Sequence, residues 1–171
     1  KVISYGADRE DKLKAEITEY IVTEAIEDEL HDILEKMDRA MESGQTHEVG
    51  VWVSGFYGSG KSSFTKYLGL ALDENIKIGD VPFLNYLSDR CNRSTTKALL
   101  NKVATRYPAT VVFLSLDSES LAGADMQTVT TTLFYKALER AGFSKNRLVA
   151  QLEIKLDGDN KFSEYKAYME D

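Results

Sequence analysis

The 171 residues carry 21 Lys and Arg against 28 Asp and Glu, a formal net charge of −7 and a pI near 5.0. That balance excludes a chain steered as a whole toward nucleic acid or an anionic membrane face, so any such contact has to be local. One cysteine, Cys91, excludes an intrachain disulfide and a multi-cysteine metal site, and no apolar run approaches a membrane span. With 43% hydrophobic and 29% charged residues the composition is that of an ordinary folded domain, expected in the cytoplasm. The start at Lys1 without methionine and the helical-looking end "YKAYMED" read as a piece of a longer protein.

From Leu13 to Met41 the chain is acidic, with Leu13, Ile17, Ile21, Ile26, Leu30, Ile33, Leu34, Met37 and Met41 near helical spacing. Thr23 is placed to cap the second of two helices. Glu24 and Glu27 suit the positive end of its dipole, and Gly44 supplies the stop. This predicts an amphipathic helical segment over residues 1–46, packing on its own core, followed by a nucleotide-binding region over 47–171.

"EVGVWVSG", Glu48 to Gly55, is short, β-branched and apolar without alternation in its second half, the pattern of a strand buried on both faces of a parallel sheet. Lys61 to Leu72 then reads as a helix with Phe64, Leu68, Ala71 and Leu72 on its apolar face. Between strand and helix, Gly55, Gly58, Ser59, Gly60, Lys61 and Ser62 satisfy G-x-x-x-x-G-K-[ST] with an extra glycine. Phosphate binding needs these types. Glycines let successive backbone N–H groups converge on phosphate oxygens, and the helix N-terminus points at the same place. Lys61 then reaches the β- and γ-phosphates and the Ser62 hydroxyl can coordinate Mg²⁺, with Ser63 adding a phosphate contact. The expected ligands are ATP and Mg²⁺.

Further on, Ser94 or Thr95 is placed to cap a helix running to Arg106, bearing Ala98, Leu99 and Val103 and stopped by Pro108. "TVVFLSLDS", Thr110 to Ser118, repeats the buried-strand pattern. Asp125 caps a helix with Met126, Val129, Leu133, Phe134 and Ala137, closed by Gly142. The tail reads as two helices around a turn at Asp157 to Asn160, with a short hairpin as the alternative. Alternating strands and helices predict an α/β fold, a P-loop NTPase three-layer core with a parallel sheet, incomplete over this length.

Hydrolysis also requires an acid at a strand end to hold the metal's water. Asp117 is the catalytic candidate beside Lys61, although Ser118 follows it where a Walker B strand usually has Glu, and a loop cap is the plainer reading. Arg90, Arg93, Lys97, Lys102 and Arg106 form a basic stretch. It reads first as a solvated helix face, and otherwise as an arginine finger or a DNA or phosphate contact. His31 and His47 lack ligand partners at useful spacing, and "DGDN" lacks the glycine a calcium loop needs. "NKVA" at Asn101 lacks the Asp of a guanine reader, which argues against a GTPase; a small-molecule kinase remains a weaker alternative.

"EYIVTEAI", Glu19 to Ile26, and "GVWVSGFYGSGKSSFTKYLG", Gly50 to Gly69, together with "VVFLSLDS", resemble the P-loop proteins of BREX-type bacterial phage-defence systems, the BrxC/PglY group. Ser63 departs from that family, which often carries histidine there. The resemblance implies the N-terminal part of a long AAA+-like ATPase that remodels or assembles a multiprotein complex with other BREX components, including a DNA methyltransferase. It also implies that the Walker B acid lies beyond "VVFLSLDS", in agreement with the weak pattern around Asp117. A nucleotide-gated scaffold with little turnover is the alternative expectation.

Overall fold

The computed structural model describes residues 7–44, 50–114 and 123–170. They form two compact units, one up to Val111 and the other from Val112 onward.

In the first unit, α1 (Ala7–Glu19) and α2 (Glu24–Ser43) form as their spacing predicts. Thr23 caps α2 by accepting from the Ile26 N–H at 3.3 Å, and Gly44 ends it in the left-handed region at φ 63°. Next come α3 (Lys61–Leu72) and a two-residue hairpin of β1 (Lys77–Ile78) and β2 (Val81–Pro82), turned at Gly79 with φ 58°. They are followed by α4 (Phe83–Arg90) and α5 (Ser94–Arg106). Helix α4 was not anticipated: its eight residues are too few to show a convincing 3.6-residue period.

The core lies where α2 packs on α5 and α4 packs on α1, α3 and α5. Ile17, Leu34, Phe83 and Leu100 are fully buried in it. An aromatic run crosses it, Tyr20 edge-on to Tyr67 at 4.7 Å and Tyr67 stacked on Phe83 at 6.0 Å. The buried face of α3 is Tyr67, Leu70, Ala71 and Leu72; Phe64 and Leu68, expected at its centre, lie at its margin. Cys91 is buried at the end of α4, and burial, with the charge of Glu27, pushes its thiol up to about 11. A disulfide reagent at pH 8 should therefore leave Cys91 untouched in the folded protein and modify it promptly in urea; equal rates in both would contradict this burial.

In the second unit, α6 (Met126–Arg140) is capped by Asp125, whose carboxylate accepts from the Thr128 N–H at 2.7 Å, and Gly142 closes the helix at φ 92°. Then follow α7 (Arg147–Gly158), capped by Asn146, and α8 (Phe162–Glu170). The tail is thus two helices, and Asn160 turns between them at φ 57°. Phe143 stacks on Phe162 at 4.8 Å, and the buried Glu153 carboxylate accepts from the Ser144 N–H at 2.6 Å.

The α/β expectation is overturned. Among the described residues there are eight helices and one two-stranded antiparallel sheet, with no parallel strand and no three-layer P-loop core. Val51–Gly55 pairs with no described segment, and Trp52 is 91% exposed where a strand buried on both faces was expected. The part of "TVVFLSLDS" that is described, residues 110–114, is likewise unpaired; the rest lies outside the described residues. The physical reason is that β-branched, apolar composition suits a strand but does not make one. A strand exists through the ladder a neighbour completes, and among the described residues neither segment has that neighbour.

Candidate functional site

The glycine-rich loop joins Val51–Ser54, which carry no regular secondary structure, to α3. Three of its glycines hold positive φ: Gly55 at 156°, Gly58 at 80° and Gly60 at 85°. Gly58 and Gly60 sit in the left-handed region that side chains resist, so their place in the motif has a backbone cause. The Ser59 N–H donates to the Phe56 carbonyl at 3.2 Å, closing a turn. Gly60 is the N-cap of α3, its carbonyl accepting from the Phe64 N–H at 2.9 Å. The N–H groups of Lys61, Ser62 and Ser63 belong to the first turn, which has no carbonyl partners inside the helix.

The Lys61 ammonium turns back over this loop. It donates to the carbonyls of Gly55 at 2.9 Å and Phe56 at 2.6 Å, with the Ser59 hydroxyl at 3.4 Å. Gly55 is packed closely: a Cβ there would stand 2.9 Å from the Ser59 Oγ. Gly55, Gly58, Ser59, Gly60, Lys61, Ser62 and Ser63 therefore lie in one continuous arc with a helix N-terminus and a cation, an anion-binding chemistry. Were Mg²⁺ held here with a phosphate, the Ser62 hydroxyl would be the protein oxygen, and phosphate and water would be the remaining ligands. Among the described residues no cluster of His, Cys, Asp or Glu could hold a metal by itself. Asp117 lies outside the described residues.

The loop stands open to solvent. Residues 50–60 are exposed throughout, Phe56 and Tyr57 almost completely. Behind it, α3 is held by a different part of the chain. Tyr20, Val22 and Ile26 from the α1–α2 junction face Phe64, Tyr67 and Leu68 of α3 across a small apolar pocket, and Lys66 pairs with Glu16 at 2.6 Å. The segments "EYIVTEAI" and "SSFTKYLG" are thus in direct contact.

The basic stretch is engaged elsewhere. Arg93 pairs with Asp28 at 2.7 Å, Lys102 with Asp38 at 2.5 Å and Arg106 with Glu42 at 2.6 Å, so α5 meets α2 through opposite charges. Arg90 donates to the Thr18 carbonyl at 3.0 Å. His31 shares a 3.2 Å hydrogen bond with the buried Thr96. These partners account for Arg90, Arg93, Lys102 and Arg106 as packing chemistry.

One charged residue, standing in the first turn of α2 as expected, has a second role that the sequence did not show. Glu27, read as serving its own helix dipole, is 1% exposed, and its carboxylate accepts from the N–H groups of Asn92 at 3.0 Å and Arg93 at 2.7 Å. Arg93 is the N-cap of α5 and supplies no side-chain cap of its own. Ser94 and Thr95, the expected caps, fall inside the helix. A carboxylate 65 residues away does the capping, and the signal available in the sequence was an acid at a core position of the α2 repeat.

No known protein family matches the chain, and no solved structure matches its fold. Among the described residues no helix is long and apolar enough to cross a membrane.

Proposed function

We propose that this chain binds Mg·ATP through Gly55–Ser63, as the nucleotide-binding module of a cytoplasmic phage-defence ATPase of the BREX type that acts with partner proteins such as a DNA methyltransferase. The observation that carries the reading is the loop itself. Two left-handed glycines, an uncapped helix N-terminus and the Lys61 ammonium within hydrogen-bonding reach of the loop carbonyls combine the features that phosphate recognition requires. Backbone N–H groups would hold the phosphates, Lys61 would balance the charge of the β- and γ-phosphoryl groups, and Ser62 would supply a metal ligand. The defence-system part rests on the sequence resemblance of Glu19–Ile26 and Gly50–Gly69.

At a hundredfold excess over Kd, Mg·ATP should stabilise the protein by about 2.7 kcal/mol, and Lys61→Ala should abolish most of that gain. Urea unfolding with and without the nucleotide measures it. No gain, or the same gain in the variant, rejects the proposal.

A nucleotide-gated scaffold with little turnover is the second reading, favoured by the exposure of residues 50–60: among the described residues nothing shields the loop from bulk water. Phosphate release from the protein with its partners decides between them. Turnover lost in Lys61→Ala supports the ATPase, and nucleotide binding without turnover supports the scaffold.

A further inference from the structure

We propose that the outer faces of α6 and α7 form a docking surface for an amphipathic helix of a partner protein, one whose apolar row is flanked by acidic residues. Every residue concerned belongs to the second unit, so the surface is independent of the nucleotide reading.

Helix α6 carries an apolar row at helical spacing, Met126, Val129, Leu133, Phe134 and Ala137, the kind of face a helix ordinarily turns to a core. Here it faces water. The helix buries none of its 15 residues, and Met126 is 78%, Phe134 53% and Leu133 37% exposed. Helix α7 repeats the arrangement. Leu148 and Leu152 stand one turn apart at 78% and 49% exposure with Gln151 on the same face, while Ala150 and Glu153 are buried on the opposite side. The two rows meet at Tyr135. The Gln151 amide donates to the Tyr135 hydroxyl at 3.2 Å, the Arg147 guanidinium lies over its ring at 5.0 Å, and Phe134 stands edge-on to it at 5.5 Å. A single exposed leucine needs no explanation, whereas contiguous apolar surface of this kind marks an interaction site.

Charge and spacing select the occupant. From Met126 to Lys155 the chain has five basic residues, Lys136, Arg140, Lys145, Arg147 and Lys155, and two acidic ones, Glu139 and Glu153, in a molecule of net charge −7. Both acids are engaged: Glu139 pairs with Lys145 at 2.9 Å, and the buried Glu153 accepts from the Ser144 N–H at 2.6 Å. Lys155 follows Leu152 by three residues and Leu148 by seven, so it shares their face, and Arg147 stands beside Leu148 at its start. Apolar anchors one and two turns apart inside a positive rim complement a helix whose apolar row is flanked by Glu or Asp. Duplex DNA would pair with the cations and leave the leucines in water.

Binding of two synthetic peptides to the full chain, followed by fluorescence anisotropy, tests this. Both have the same leucine row at helical spacing; one carries Glu and the other Lys at the flanking positions. The Glu peptide should bind at least tenfold more tightly than the Lys peptide, and should lose affinity as salt rises to about 0.5 M. Phe134→Ser combined with Leu148→Ser should weaken it at least tenfold, and because both side chains are exposed the helical circular dichroism should be unchanged. Ile21→Ser, at a similarly exposed position of the first unit, should leave binding as it is. No binding of the Glu peptide, equal binding of the two peptides, or an equal loss in Ile21→Ser overturns the proposal. Dimers of the free chain in sedimentation that the double variant dissociates also overturn it, giving the face to a second copy. Binding to anionic phospholipid vesicles that is lost in the double variant overturns it too, giving the face to a membrane. Should the double variant unfold, amide shifts of the wild type on titration with the Glu peptide decide: changes at Phe134 and Leu152 support the surface, and changes confined to the first unit overturn it.

Discussion

Phe83→Ala should destabilise the first unit by about 3–5 kcal/mol, the range for truncating a fully buried aromatic ring. Phe83 is 0% exposed. Its ring lies 6.0 Å from Tyr67 of α3 and 6.4 Å from Tyr86, and its N–H donates to the Ile76 carbonyl at 2.9 Å. The cost has two sources, lost transfer free energy and a cavity that the surrounding elements can only partly close. The backbone hydrogen bond survives the substitution, so the loss reports packing. Phe83→Leu should cost less, about 1–2 kcal/mol, because more of the volume is retained. Urea unfolding measures both, with an unchanged m-value as the condition for reading the midpoint as stability. A loss below about 1 kcal/mol in the alanine variant would contradict the burial. Because Tyr67 carries α3 and α3 carries the loop, the variant should also weaken any stabilisation by nucleotide.

Glu27 should show the second large effect, with a pH signature of its own. Glu27→Ala leaves two N–H groups at the start of α5 without their acceptor and removes a negative charge from a helix N-terminus. The expected loss is about 2–4 kcal/mol at pH 7. Burial raises the carboxyl's proton affinity, but the N–H groups of Arg93 and Asn92 and the Arg93 charge outweigh it, and the net pKa lies below the ordinary glutamate value. A folded-state pKa below the unfolded one means that the unfolded chain takes up the proton first. The contribution is therefore complete above the unfolded pKa and disappears as pH falls through the folded one. Glu27→Gln, isosteric and without charge, should flatten this acid limb of the stability curve and lower the plateau at pH 7. Stability measured from pH 7 to pH 3 checks it, and parallel curves for wild type and variant would show that Glu27 is not the titrating group.

Helix boundaries were legible because their causes are local. Thr23 before the α2 repeat, Asp125 before α6, Gly44 and Gly142 after their helices, and the turn near Asn160 each act on residues within one helical turn. The loop was legible for the same reason. Positive φ at Gly58 and Gly60 is a property of three or four consecutive residues, and a helix beginning at Lys61 follows from the chain after it.

The strands were not legible, because pairing depends on a second segment. Val51, Trp52 and Val53 suit a buried strand by composition, yet Val51 is 61% exposed and no described residue completes a ladder beside it. Burial by composition alone was therefore the wrong inference for these residues, and the expectation of a parallel sheet went with it.

The basic residues show the same division on the surface. Lys102 and Arg106 look free in the sequence, and Asp38 and Glu42 look like part of an acidic helix; only the packing of α2 on α5 joins them. Glu27 gained its partners in that way too. Residues within a few positions of one another were enough to specify most of the helices, the caps at Thr23 and Asp125 and the turn of the glycine-rich loop, because short-range sterics and hydrogen bonding act there without help. The tertiary structure decided which charges are spent, which acid caps α5 and which apolar segments stay unpaired. Each of those outcomes depends on a group brought near from elsewhere in the chain, and a linear pattern carries no record of that proximity.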